Sequence, residues 1–138
     1  DASAGTVTAT YGTATAKAHA DTLFTAQDET DGLGTEGEIK TEGLKTILIR
    51  KVKAQAETLL NQTDWYITRK TEKNTAIPSA ITTWRDGIRT KQAAMETSIT
   101  NASNTPALET LYTYVNTADE GDPVVMERPL GEFPELGS

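Results

Sequence analysis

The chain has 138 residues with 36% hydrophobic and 6% aromatic content, a formal net charge of −7 and no cysteine. Such a length fits one domain with a workable but thin core, and the lack of cysteine excludes a disulfide framework and thiolate chemistry. Charge runs acidic, basic, acidic: residues 1–42 carry eight acids against Lys17 and Lys40, residues 43–102 ten bases against five acids, and residues 103–138 seven acids against Arg128. That order is unlike a nucleic-acid binder, whose basic surface is not flanked by its own competing acids. It suits end segments folded over the middle, subunits meeting head to tail, or plain solvation of a charged surface.

In chain order, Thr6 to Tyr11 alternate, with Val7, Ala9 and Tyr11 on one face and Thr6, Thr8 and Thr10 on the other. This predicts a half-buried strand. Gly12 allows a turn, Thr13 to His19 alternate again, and Thr22 to Ala26 supply a third strand. Alanine faces bury little area, so this sheet needs a helix or a neighbouring chain against it. The chain opens on Asp1, not Met, as expected of a processed product or of the ordered part of a longer chain. Its first residues do not resemble a signal peptide, and no apolar run is long enough to span a bilayer, so no membrane contact is expected.

QDETDGLGTEGE, residues 27–38, is acidic and Gly-rich. An EF-hand register would place Glu29, Asp31, Gly32 and Glu38 at positions three, five, six and twelve. However, Gln27 replaces the first carboxylate and Gly34 the usual apolar residue. A solvated loop is the expected state, with no metal and no cofactor.

The helical half follows. Thr41 is the expected N-cap of a helix carrying Leu44, Ile47, Leu48, Val52, Ala56, Leu59 and Leu60 at helical spacing. Asn61 to Asp64 break that pattern, and Thr63 or Asp64 caps a short second helix on which Trp65, expected as a core anchor, shares a face with Arg69. Pro78 and Ser79 restart the chain. Ile81, Ile88, Met95 and Ala102 then recur every seven residues, with Trp84 and Ile99 beside them. This predicts a helix of about six turns with a narrow apolar seam, packed antiparallel on the first helix or on a partner. Gly87 within it allows close approach of another backbone. Thr105 is the expected cap and Pro106 the opening of a last helix with Leu108, Leu111, Tyr112 and Val115 as its buried side. Beyond Asn116 the chain is acidic and broken by Pro123, Pro129 and Pro134, yet holds Val124, Val125, Met126, Leu130, Phe133 and Leu136. An extended arm lying along the body or on a neighbour is expected. The fold class is therefore α+β: a Thr-rich β segment and acidic loop (1–42), a helical domain (43–117) and a C-terminal arm (118–138).

Nothing in the residues argues for catalysis. His19 has no neighbouring ligand or nucleophile in sequence, Ser79 reads as a helix start, and no phosphate-binding glycine loop or HExxH-type pair is present. The carboxylates are not paired in an apolar context of the kind that drives their pKa values apart.

LLNQTDW at Leu59 to Trp65, then Pro78, then WRDGIR at Trp84 to Arg89 resembles a module of tailed bacteriophages. It is found in tail-assembly-chaperone-like and tail-fibre-associated proteins and in small virion structural proteins, where an LL…TDW helix end precedes a proline and a YR…LR helix. Gly131 to Leu136 resembles the short aromatic-proline ending that lies downstream. Trp84 stands where tyrosine is usual and Phe133 where tryptophan is usual. The resemblance implies a non-enzymatic virion structural protein of the tail, neck or fibre apparatus, located in the virion after assembly in the host cytoplasm. The alternatives are a transient tail-assembly chaperone or a capsid-surface decoration protein. Implied partners are other copies of this chain, as a homo-oligomer, and other virion proteins, with no nucleic acid. Trp65, Trp84, Ile88, Met95, Val125, Phe133 and Leu136 are the expected structural or interface residues.

Overall fold

The computed structural model describes residues 17–137. They run β1 (Thr22–Leu23), α1 (Ala26–Thr30), β2 (Ile39–Thr41), α2 (Leu44–Asn61), α3 (Asp64–Lys73), α4 (Ser79–Asn101), α5 (Thr105–Tyr112), β3 (Val115–Asn116) and β4 (Met126–Glu127). This is the expected α+β class, with a small antiparallel strand pair ahead of the helices. The strand pair expected over residues 6–19 falls, for residues 6–16, outside the described residues.

α2 and α4 make the body of the fold. Val52 of α2 shares one cluster with Met95 and Ile99 near the end of α4, and Ala56 shares a second with Trp84 and Ile88 near its start. The helices therefore run antiparallel, and Lys45 at the start of α2 donates to the carbonyl of Thr100 at the end of α4 at 2.8 Å. The seven-residue seam is buried along its whole length: Ile81, Ile88, Met95 and Ala102, with Trp84 and Ile99 beside it. Apolar residues at that spacing stay on one side of a helix, and that side meets α2, Leu108 of α5 and the C-terminal Leu130 and Phe133. α5 closes one end with buried Leu108. Its N-cap is Asn104, whose side chain accepts from the Ala107 amide, so Thr105 is the first helical residue and not the cap. Val115, expected on the α5 buried side, lies beyond the helix in β3 and is exposed.

The entry to α2 differs from the sequence expectation. Thr41 belongs to β2, and the N-cap is Gly43, which makes no side-chain cap bond. The first amides of α2 are satisfied from a distance instead. Leu44 and Lys45 donate to the carbonyls of Ala18 and His19, and the Asp21 carboxylate accepts from the Gly43 amide and the Thr46 hydroxyl. A carboxylate at this end also suits the helix dipole. Gly43 is required here because a Cβ would collide with the backbone of Ala20. The third strand expected over Thr22–Ala26 is shortened to β1, which pairs antiparallel with β2. Thr25 caps α1 in a reciprocal box with Asp28. That box and the Lys40–Asp28 ion pair at 2.7 Å occupy the acidic segment that an EF-hand register would use.

The C-terminal segment is not a free arm. β3 and β4 form a hairpin, with Val115 opposite Glu127 and Asn116 opposite Met126. The chain then turns back onto the helices, where the Leu130 amide donates to the Leu111 carbonyl at 3.0 Å. Leu130 is fully in the core, and Phe133 touches both apolar clusters.

Candidate functional site

The corner between α2 and α3 is organised by one buried cation. Arg85 of α4 donates to the Leu60 carbonyl at 2.8 Å and to the Thr63 hydroxyl at 2.7 Å, and its other terminal nitrogen lies 2.9 Å from the Asp64 carboxylate. Thr63 and Arg85 are buried, while Asp64 reaches out to water. The guanidinium fork matches a carbonyl, a hydroxyl and a carboxylate presented together, a geometry that lysine cannot reproduce. Thr63 and Asp64 lie at the break after α2, and Arg85 in the first turns of α4. Their joint task is to fix where α3 leaves the body.

At the same end, the Trp84 indole N–H donates to the Pro134 carbonyl at 2.9 Å, and the Pro134 ring lies 3.3 Å from where a Cβ on Gly87 would stand. What lies against Gly87 is therefore a side chain of the C-terminal segment, not the second backbone expected there. Further back, Arg128 pairs with Glu132 at 2.8 Å and lies over the rings of Tyr112 and Tyr114. The Tyr114 hydroxyl donates to Glu132, which holds the phenol above its ordinary pKa, with some burial adding to the effect. Burial raises Tyr112 as well, partly offset by Arg128. An open cleft of about 400 Å³ lies here, lined by Ala54, Gln55, Thr58, Leu59, Arg128 and Glu132. Its two charged groups pair with each other, and the Thr58 hydroxyl donates to the Ala54 carbonyl of its own helix. Among the described residues no three His, Asp or Glu side chains gather to hold a metal ion, and no helix is long and apolar enough to cross a membrane.

What the fold leaves uncovered is more informative. α3 contains no buried residue. Trp65, expected as a core anchor, is 52% exposed and stacks on Tyr66 with ring centroids 3.7 Å apart. The Arg69 guanidinium lies 4.9 Å from the Trp65 ring and 5.3 Å from the Tyr66 ring. Three consecutive large residues, Trp65, Tyr66 and Ile67, give α3 no apolar stripe, so Thr63 and Leu60 meet the body and the indole turns outward. Another uncovered region is the β3–β4 hairpin, where Val124, Val125 and Met126 are 70%, 46% and 53% exposed, with Tyr114 and Val115 beside them, and Leu23, Leu33 and Ile39 are exposed around the β1–β2 pair.

The expected interface or structural residues therefore divide. Trp84, Ile88 and Met95 are core, Phe133 bridges the two core clusters, and Trp65, Val125 and Leu136 are exposed. No protein-family model, curated protein or solved structure matches the chain. Sequence reasoning missed the Arg85 cluster, although a basic residue beside a seam tryptophan, facing a Thr-Asp pair at a helix break, was its visible signal.

Proposed function

We propose that this chain is a non-enzymatic structural protein of a bacteriophage particle, acting through protein–protein assembly contacts in the tail, neck or fibre apparatus. The observation that carries the assembly reading is the amount of uncovered apolar surface, on α3, on the β3–β4 hairpin and at Leu23, Leu33 and Ile39 of the N-terminal strand pair and its connection. A lone two-stranded hairpin is marginal in water. Its free edges and exposed valines are the features that soluble monomers suppress and contact sites retain. The phage setting rests on the resemblance of residues 59–89 and 131–136, whose Thr63, Asp64 and Arg85 meet in one cluster.

Quantitative mass spectrometry of gradient-purified particles tests this reading. The expected result is this chain at a fixed stoichiometry to the other virion proteins. Its presence in infected cells but absence from finished particles would overturn the reading and favour a transient tail-assembly chaperone.

A further inference from the structure

α3 and the hairpin are each divided into an apolar and a charged half, with opposite signs of charge. On α3, Trp65, Arg69 and Lys73 are spaced four apart on one line, with Tyr66 and Lys70 beside it. The aromatic end of this face is exposed, and its other end carries Lys70 and Lys73 in the last helical turn with one acid, Glu72, among the three bases Arg69, Lys70 and Lys73. On the hairpin, the connection between β3 and β4 carries Asp119, Glu120 and Asp122, then exposes Val124 and Val125 ahead of the exposed Met126 that opens β4. None of Arg69, Lys70, Lys73, Asp119, Glu120 and Asp122 makes an ion pair among the described residues.

The dimensions also agree. About 12 Å of helix separates Trp65 from Lys73, and the chain from Asp122 to Met126 can reach about 13 Å when extended. Trp, Tyr and Arg packed together on an exposed face have the composition of an interface hot spot. Charge complementarity selects the partner and its direction, acids onto the lysines and valines onto the aromatic pair.

We infer that α3 of one copy is the docking site for the β3–β4 hairpin of a second copy. The inference rests on the assembly reading above and specifies its contact. The two surfaces differ, so the contact is heterologous and repeats head to tail into a ring or a filament.

Paired charge reversal on the full chain tests it by sedimentation velocity across a concentration series. One variant carries Lys70→Glu and Lys73→Glu; the other carries Asp119→Lys and Asp122→Lys. All four positions are exposed, and unchanged circular dichroism confirms folding. The wild type is expected to assemble with rising concentration, and each variant alone to remain monomeric. An equimolar mixture should regain assembly, because each reversed surface then meets an opposite one. Assembly of either variant at wild-type strength, a mixture that stays monomeric, or a monomeric wild type overturns the contact. A monomeric wild type that is still present in purified particles removes this contact alone. Rescue in the mixture combined with absence from particles removes the virion assignment alone.

Discussion

Replacing Trp84 with alanine is the sharpest probe of the closed end of the body. Trp84 is 7% exposed, packs with Ala56, Ile88, Leu59, Leu60 and Phe133, and holds the Pro134 carbonyl through its indole N–H. A buried tryptophan removes about 150–250 Å² from water, which at about 25 cal/mol per Å² is an upper bound of roughly 4–6 kcal/mol. Truncations of large core aromatics cost about 3–5 kcal/mol, so Trp84→Ala is expected to destabilise by about 4 kcal/mol. Trp84→Phe keeps most of the packing and loses the donor, at about 1–2 kcal/mol. Trp65→Ala removes a half-exposed ring and is expected to cost less than about 1 kcal/mol. Urea unfolding followed by circular dichroism measures all three. A cost for Trp84→Ala below about 1 kcal/mol, or one for Trp65→Ala that equals it, would refute the assignment of one tryptophan to the core and the other to the surface.

Arg85→Met should destabilise by about 3–5 kcal/mol in the same assay, because the buried Thr63 hydroxyl and Leu60 carbonyl lose their donor and Asp64 its partner; Arg85→Lys should recover only part of this. Asp28 is held down to about 2 by the Lys40 ammonium and then by the Thr25 amide and hydroxyl. A depressed carboxyl favours the fold when ionised, so its contribution is complete above its ordinary value of 3.8 and is lost as pH falls through about 2. An NMR titration should show that midpoint for Asp28 and an upward move of it in Lys40→Ala. Deleting residues 128–138 takes Leu130 and Phe133 out of the core and should cost at least about 4 kcal/mol. A truncated chain that melts like the whole one would show that this segment is not part of the core.

The main helical frame was legible because its signal is periodic. Ile81, Ile88, Met95 and Ala102 mark one face of α4, and that face is the buried one. The ends of elements were not, because their partners lie far away in sequence. Thr41 has the chemistry of a cap, but pairing with Thr22 draws it into β2, and Asp21, 22 residues before Gly43, binds that residue's amide. The Thr25–Asp28 box is local and was open to reading, since a threonine followed three residues later by an acid is a helix-start signature. Trp65 and Trp84 are the same residue on either side of one break. What separates them is the direction in which Arg85 lets α3 leave, which no local pattern encodes. The C-terminal segment was ambiguous for a related reason: its apolar residues are divided, Leu130 and Phe133 inward and Val124 to Met126 outward, by the hairpin and the turn at Gly131, whose φ of +74° reverses the chain.

The absence of buried residues on α3 bears on its persistence as a helix. A helix of ten residues is marginal in water by itself, and most helices are kept by the face they bury. α3 has instead a clamp at its start, where Arg85 grips Thr63 and Asp64, and a left-handed stop at Asn74. Between those points no side chain is buried, so local opening of α3 is expected to cost less than opening of α2 or α4, and amide hydrogen exchange would read the difference. A second copy docked on its aromatic face, as proposed above, would do more than bind: it would supply the missing inner side and set how much of the time these ten residues are a helix at all.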